Sequence, residues 1–271
     1  MNILIVANKD LAANVCLNKI LPSLAQQHRL NLYLSNAVGK RTQQHPDALQ
    51  NLKQFEQHWD DLIPIKTTHS EQPLQPEAHS KYVSFEQLNP YLQSPIELVN
   101  NINQDESLAK LNELAPELIV SIRYGCIIKP PAIRVASNGV INLHSGVLPD
   151  YRGVMATFWA MLNNESKIGT TLHFINDGNI DAGDVIKISK QARDPQACYL
   201  SQVLSLYQQG SQDILQAINA IDNEQTISAL PQQGQGNYFS FPSQEDLQRF
   251  DDAGMRLVDK DAYNRFIKQH Y

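Results

Sequence analysis

The hydrophobic pattern of the first 35 residues predicts a strand, a helix and a second strand. NILIVA is a short uninterrupted apolar run, which is typical of a strand buried on both faces of a parallel sheet. Residues 9–26 then carry apolar side chains at helical spacing, and RLNLYLS alternates as a second strand. This order predicts an α/β protein with a Rossmann-like, mostly parallel sheet. The turn ANKDLAAN has no glycine, so NAD or FAD binding is not expected there.

The same patterns predict further strands and helices along the chain. Strands are expected at ELIVSI, at residues 139–144, at TTLHFI and at DVIKIS, and helices near residues 105–114, 154–163, 199–221, 243–252 and 259–270. The hydrophilic residues 36–97 are interpreted as an insert of long surface loops with one helix around 46–58. We expect a catalytic domain over residues 1–195, followed by a helix and a small C-terminal extension over 196–271.

Composition and charge narrow the classes of function. Of 271 residues, 42% are hydrophobic and 18% charged, and the net charge of −6 disfavours a nucleic-acid-binding surface. No apolar stretch is long enough to span a bilayer, and the N-terminal residues lack a signal-peptide pattern, so we expect a cytoplasmic protein. Three widely spaced cysteines imply neither a disulfide framework nor a zinc site.

The strand at 139–144 ends with two polar side chains inside an apolar run. Alternation places Asn142 and His144 on one side of the strand, about 7 Å apart. An amide N–H and an imidazole together suit the stabilisation of a developing oxyanion. The alternative is that Asn142 caps a loop and His144 is a satisfied interior histidine. The tripeptide alone does not decide between them.

The segment HFINDGNIDAGDVI supplies acidic side chains after a later strand. Asn176, Asp177 and Gly178 form a turn pattern, so Asp177 is expected to bond the turn backbone. Asp181 precedes Ala182 and Gly183, where the chain can approach another loop closely. It is the better candidate to orient a histidine, although a second turn residue remains the alternative.

Two motifs resemble the catalytic core of the folate-dependent formyltransferases. These are NLHSGVLPDYRG and, some thirty residues later, DGNIDAGDVI, with a helix and a strand between them. The resemblance covers residues 117–190 most closely, and it departs from the family pattern at Gly146 and Val147. It implies a Rossmann-like sheet and the transfer of a formyl group from 10-formyltetrahydrofolate to a primary amine.

The resemblance also implies roles for three residues. The family's essential Asn, His and Asp match Asn142, His144 and Asp181. Asn142 and protonated His144 would stabilise the oxyanion of a tetrahedral intermediate, while Asp181 would hold His144 and favour its protonated form. Losing Asn142 is expected to lower turnover by roughly 10²–10³. No metal is expected.

Binding residues follow from the same resemblance. The folate donor is expected to contact two loops, made of Ile122, Arg123, Tyr124, Gly125, Cys126 and Ile127, and of Asp177, Gly178, Asn179 and Ile180. Tyr124 is instead a packing residue in an alternative interpretation. The acceptor is expected to contact Tyr151, Arg152 and Gly153, where Arg152 either anchors an anionic acceptor or forms a loop-stabilising salt bridge.

The acceptor itself is the least determined part of the reaction. Residues 191–271 hold six Lys and Arg against ten Asp and Glu, which is unfavourable for binding tRNA. The short tail favours a nucleotide-linked amino sugar, and a small free amine or amino-acid derivative is the first alternative. A 10-formyltetrahydrofolate hydrolase and a non-catalytic binding protein are further alternatives. Apolar residues of the tail either cover the core or contact a second subunit, so a homodimer stays open.

Overall fold

A seven-stranded sheet forms the centre of the molecule. The computed structural model describes residues 1–37, 45–62 and 81–271. Within them the strands of this sheet are β1 (Asn2–Asn8), β2 (Arg29–Ser35), β3 (Glu97–Leu98), β4 (Leu118–Ile122), β5 (Val140–His144), β7 (Lys167–Phe174) and β8 (Val185–Ala192). Their order is β3-β2-β1-β4-β5-β7-β8, parallel as far as β5 and antiparallel thereafter. The predicted mostly parallel sheet is confirmed.

Eight helices and a second, two-stranded sheet complete the described part of the fold. The helices are α1 (Leu11–Leu24), α2 (Asp47–Gln57), α3 (Asp105–Leu114), α4 (Pro130–Ile133), α5 (Ala156–Leu162), α6 (Tyr199–Asp222), α7 (Gln244–Asp252) and α8 (Lys260–His270). Strands β6 (Arg152–Gly153) and β9 (Tyr238–Phe239) pair in parallel. Two short 3₁₀ helices occupy Asp60–Leu62 and Glu86–Tyr91.

Helices cover both faces of the seven-stranded sheet. Alternate residues of the central strands pack against α1 and α6 on one face, and against α3 and α4 on the other. All seven residues of β1 are buried, which explains its uninterrupted apolar sequence. The strand order reverses between β1 and β4, so a crevice opens beyond the carboxyl ends of these strands.

The insert at residues 36–97 differs from its interpretation as surface loops. The predicted helix around 46–58 is present as α2, but it buries Leu49 and Leu52 against the main core. Trp59, Phe85 and Leu88 are buried in the same core. The apolar residues of this segment are sparse and spaced on one face, so its average hydrophilicity hid their burial. The rest of the predicted loops, residues 38–44 and 63–80, lie outside the described residues.

The C-terminal third packs onto the same core. Helix α6 lies against α1, and its residues join the hydrophobic cluster of the sheet. Phe250 of α7 stacks on Phe158 of α5 with ring centroids 4.5 Å apart, and the Tyr271 hydroxyl donates to Asn14 Oδ1. No helix in the described ranges combines the length and apolarity needed to cross a membrane.

Candidate active site

Strand β5 brings Asn142 and His144 to the carboxyl edge of the sheet. His144 is 8% exposed, and its Nε2 lies 2.6 Å from the carbonyl oxygen of Tyr151. Its Nδ1 lies 3.4 Å from Oδ2 of Asp181. Both ring nitrogens therefore face oxygen acceptors, and an imidazolium, which has a hydrogen on each nitrogen, can donate to both.

Asp181 reaches this edge from the loop between β7 and β8. Its backbone adopts φ +49°, a left-handed conformation that costs non-glycine residues on the order of 1 kcal/mol and that aspartate tolerates better than most. Its Oδ2 accepts the Gly153 backbone N–H at 2.9 Å. Burial alone would raise the pKa of Asp181, but its neighbours, chiefly His144 together with this N–H, outweigh burial and lower it to about 2. The carboxylate is therefore held ionised.

A second histidine, His173, completes the group and was missed by sequence reasoning. It faces Asn142 directly across the β5–β7 pair and is 1% exposed. Its Nδ1 lies 2.8 Å from the Phe174 carbonyl oxygen, and its Nε2 lies 3.1 Å from Asn142 Nδ2 and 3.5 Å from Asp181 Oδ1. With Nδ1 protonated, Nε2 accepts one Asn142 N–H, and the second amide hydrogen remains available to a ligand. The signal in the sequence was a lone polar residue inside the apolar run TTLHFI.

These side chains line a cavity of about 500 Å³ that crosses the carboxyl edge of the sheet. Its loop side, on the α3–α4 face, is formed by residues 124–128 and 175–180. Its helix side, on the α1–α6 face, is formed by one face of α2 together with Met155, Tyr199 and Phe241. The exposed Tyr238 also lines the cavity. Asn142, His144 and Asp181 lie where the two sides meet.

The residues predicted for folate binding mostly line this cavity. Those that do so are Arg123, Tyr124, Gly125, Cys126, Ile127, Asp177, Asn179 and Ile180. Ile122 is instead fully buried in β4, and Gly178 lies in the adjoining turn. The Asp177 carboxylate accepts from the backbone and side chain of Asn179, as its turn pattern predicted. The Tyr124 hydroxyl donates to the Val99 carbonyl at 2.6 Å, so only its ring is available to a ligand.

Two of the three residues predicted to contact the acceptor point away from the cavity. The Tyr151 hydroxyl donates to Glu165, and its ring stacks on Phe239. Arg152 donates from Nη2 to Gln232 Oε1 at 2.9 Å, because pairing of β6 with β9 directs it toward that segment. Neither its interpretation as an anion anchor nor its interpretation as a salt bridge fits this contact.

Arg152 instead supports the loop of Asp181 from behind. Gln232, which accepts from Arg152, donates from Nε2 to the carbonyl oxygens of Asp181 and Gly183, at 2.9 and 2.8 Å. Gly153, the third predicted residue, lines the cavity and holds the Asp181 carboxylate through its N–H. The β6–β9 sheet therefore fixes the aspartate at both its backbone and its side chain.

An ion cluster at the helix side was also absent from the prediction. Arg123 follows β4 with φ +55°, and its side chain donates to Asp10 Oδ2 at 2.8 Å and to Glu56 Oε1 at 3.1 Å. Burial raises the pKa of Glu56 to about 7, with Arg123 opposing the rise and Asp10 adding to it. Asp10 and Glu56 lie 113 and 67 positions from Arg123, so no local motif signals the cluster.

Within residues 1–37, 45–62 and 81–271, no group of three or more His, Cys, Asp and Glu side chains is placed to hold a metal ion. The three cysteines are free thiols, with Cys16 and Cys198 buried.

The fold and the site define an α/β protein with hydrogen-bond donors grouped at a switch-point cavity. Residues 37–197, more than half of the chain, match the family model described as formyl transferase. The chain belongs to the formyl transferase family. Methionyl-tRNA formyltransferase of Clostridium acetobutylicum is 37% identical over 92 residues, which are 34% of this chain and 28% of that protein.

Solved structures share the fold over nearly the whole chain. A sugar N-formyltransferase from Shewanella superposes with a TM-score of 0.57 and 14% identity, over 93% of this chain and 88% of that one. An N-formyltransferase from Helicobacter canadensis, in complex with folinic acid and dTDP-3-aminofucose, superposes with a TM-score of 0.56 and 18% identity. The superposition covers 97% of this chain and 82% of that one. At these identities the likeness is one of fold. The match to the curated Clostridium relative spans less than a third of that protein's length.

Proposed function

We propose that this protein transfers the formyl group of 10-formyltetrahydrofolate to a primary amine. The observation that carries the proposal is the grouping of Asn142, His144 and Asp181 at the junction of the two sides of one cavity. Membership of the formyl transferase family supports the reaction type. The 500 Å³ cavity falls in the size range of sites for small organic molecules.

The contacts of these side chains suggest how the reaction proceeds. The amine attacks the formyl carbon, and negative charge develops on the formyl oxygen. The free Asn142 N–H would stabilise that charge, and a hydrogen on His144 Nδ1, which lies 3.4 Å from Asp181 Oδ2, would be shared between that carboxylate and the formyl oxygen. Ionised Asp181 would hold the His144 ring through Nδ1 and help to remove the amine proton, directly or through water. The C–N10 bond then breaks, and N10 of tetrahydrofolate takes up a proton.

The two sides of the cavity divide between the two substrates in this proposal. The loop side, with the backbone of residues 124–127 and the apolar side chain of Ile128, suits the flat polar pterin of the donor. The helix side would then take the acceptor. Tyr238 and Phe241, with the His45 ring tilted against Phe241 at a centroid distance of 4.4 Å, offer aromatic surface to a nucleobase. A nucleotide-linked amino sugar is the acceptor we propose, and the ligands of the Helicobacter canadensis relative support it.

An acceptor screen tests the proposal. Purified protein is mixed with 10-formyltetrahydrofolate and, in separate reactions, nucleotide-linked 3- and 4-amino sugars, small free amines and amino acids, methionyl-tRNA, or buffer alone. Tetrahydrofolate release is followed by absorbance, and the formylated product is identified by mass spectrometry. Arg249→Ala, at an exposed site on α7 outside the cavity, is the matched control variant.

Each reaction of the screen decides something specific. Formylation of an amino sugar supports the full proposal, whereas formylation of a free amine or of methionyl-tRNA retains the reaction and replaces the acceptor. Formate release at the same rate in buffer alone identifies a hydrolase. Folate binding without turnover in any reaction overturns the proposed function.

A further inference from the structure

Glu56 lines the helix side of the cavity, and only one of its two carboxylate oxygens has a hydrogen-bond partner among the residues that the structure describes. Its side chain is 15% exposed and extends from the last turn of α2. Oε1 accepts from Arg123 Nη2 at 3.1 Å. Among the residues that the structure describes, Oε2 has no hydrogen-bond or ion-pair partner. A mostly buried carboxylate oxygen in this position needs a donor, and the cavity is where a donor can arrive.

The second acid of the cluster, Asp10, is by contrast fully satisfied. It is 1% exposed, and it accepts from Asn8 Nδ2, from the backbone of Ala13 and from Arg123 Nε, each at 2.8 Å. The negative charge of Asp10 therefore balances the positive charge of Arg123 without any contribution from Glu56. When Glu56 is ionised, the cluster carries one excess negative charge, and this charge lies beside the cavity. A cationic group entering the helix side would balance it.

The surroundings of Glu56 set when it is ionised. Arg123 approaches from the end of β4, Asp10 from the start of α1, Tyr199 from the start of α6, and Lys53 lies one turn earlier on α2. Burial raises the pKa of Glu56 to about 7, so near neutral pH it exchanges a proton readily. A primary amine is protonated at that pH, and only its neutral form attacks a carbonyl carbon.

We propose that Glu56 binds the ammonium form of the acceptor through Oε2 and takes one proton from it before the amine attacks. This inference rests on the proposed function and names the residue that selects and activates its acceptor. One N–H bond breaks and one O–H bond forms on Glu56. The freed electron pair then forms the bond to the formyl carbon, and the proton on Glu56 passes to solvent after transfer.

Arg123 and Asp10 act as positioning residues in this scheme. Arg123 occupies Oε1 and Asp10 holds Arg123, which leaves Oε2 for a ligand in the cavity that Glu56 lines. The same negative charge disfavours a phosphate or carboxylate at this end of the acceptor. The acceptor class is therefore a primary alkylammonium compound whose anionic groups, if it has any, lie away from Glu56.

The test compares wild type, Glu56→Gln and the control Glu97→Gln, whose carboxylate pairs with Lys110 outside the cavity. For any accepted amine, kcat/KM is measured across pH, together with the Kd for folinic acid. In Glu56→Gln we expect kcat/KM at pH 7 to fall about 10²-fold. The deficit should shrink as the pH approaches the pKa of the amine, because neutral amine then enters from solvent. Folinic acid should bind all three proteins equally. A wild-type profile, or a loss that is the same at every pH, overturns the inference.

A direct readout separates this inference from the proposed function. Side-chain carboxyl carbons are labelled with ¹³C, and the Glu56 resonance, assigned by its loss in Glu56→Gln, is titrated in folinic-acid-saturated protein. Propylammonium should lower the titration midpoint of Glu56, and propanol should not. If no amine is formylated yet Glu56 responds, the reaction is wrong and the ammonium site stands. If transfer occurs and Glu56 responds to neither probe, Glu56 is not the acceptor residue.

Discussion

The two sides of the cavity are constructed in different ways. The loop side consists of two continuous segments within residues 124–128 and 175–180, each of which follows a strand of the sheet. The helix side is assembled from side chains that are far apart in sequence, such as Leu49, Glu56, Tyr199 and Phe241. Between the two lie Asn142, His144 and Asp181.

This difference explains why the reaction type is easier to infer than the acceptor. A side of the cavity that consists of continuous segments is specified by short local motifs, and those motifs can be recognised in one sequence. A wall of distant side chains is specified only by tertiary packing. The family model covers the segments of the loop side and of the junction. Of the helix side it includes Leu49, Glu56 and Met155, whereas Tyr199, Tyr238 and Phe241 lie beyond its last residue.

Asp181→Asn gives the largest expected effect, because Asp181 lies at the junction of the two sides of the cavity and contacts His144 there. A carboxamide keeps the shape but removes the negative charge that faces His144 Nδ1 and orients its ring, so we expect turnover to fall about 10⁴-fold. The measurement is kcat for the accepted amine, with the Kd for folinic acid as the control for an intact loop side. Transfer at the wild-type rate would remove Asp181 from the mechanism.

Gly146→Ala tests the junction by steric means alone. A Cβ at this position would lie 2.5 Å from His144 Nε2 and 2.8 Å from the Tyr151 carbonyl oxygen, so it would push the ring out of place. We expect turnover to fall about 10²-fold and the free energy of unfolding to drop by about 1–3 kcal/mol. This close contact favours glycine at position 146 in this chain.

The control for that substitution is Gly254→Ala on the surface. Gly254 has φ +73° and open space around it, so alanine costs about 1 kcal/mol of backbone strain without touching the cavity. Chemical denaturation and kcat are measured for both variants. If Gly254→Ala loses as much turnover as Gly146→Ala, the loss reflects destabilisation and not displacement of His144.

Sequence reasoning reached the mostly parallel sheet, the positions of its longer strands along the chain and the expectation that Asp181 holds His144. Each of these depends on local apolar patterns or on the two motifs NLHSGVLPDYRG and DGNIDAGDVI. It missed His173, because a histidine in an apolar run is also compatible with plain burial until the β5–β7 register places it opposite Asn142. It missed Glu56 and Asp10 because their contacts with Arg123 cross more than 60 positions.

The partner that the structure gives Arg152 could not be predicted, for a related reason. Guanidinium chemistry suits an anionic ligand, but the partner that Arg152 has is Gln232, 80 positions away. Nothing in the residues around Arg152 indicates that β6 pairs with β9 and turns its side chain away from the cavity. The chemistry of the guanidinium group singled out Arg152, but the pairing of β6 with β9 determines which group it contacts.

Acid and neutral pH should affect stability through different carboxylates. Asp181 has its pKa lowered from 3.8 to about 2, so it contributes about 2 kcal/mol that is present above pH 4 and lost as the pH falls toward 2. Glu56 has its pKa raised from 4.5 to about 7, so the folded state holds its proton more tightly than the unfolded state. Its contribution to stability therefore declines as the pH rises from about 4.5 to about 7.

Urea denaturation across pH measures the free energy of unfolding in both ranges, an acid limb below pH 4 and a neutral limb from about pH 4.5 to about 7. Asp181→Asn should flatten the acid limb and leave the neutral limb, and Glu56→Gln should do the reverse. A single variant that removes both limbs would mean that the two sides of the cavity titrate together. That result would contradict the separation of the junction carboxylate from the helix-side carboxylate.

Arg152→Ala gives the smallest expected effect and decides between two uses of this side chain. If Arg152 supports the Asp181 loop through Gln232, kcat falls a few-fold, on the order of 1 kcal/mol for one lost hydrogen-bonded contact, and KM for the acceptor stays unchanged. Gln232→Ala should then reproduce the loss, and the double variant should lose no more than either single one, because both act through one chain of contacts. An anion anchor would give the opposite pattern, with a raised acceptor KM, an unchanged kcat and no equivalent effect of Gln232→Ala. Arg249→Ala, an exposed arginine paired only with Asp246, controls for the loss of one positive charge.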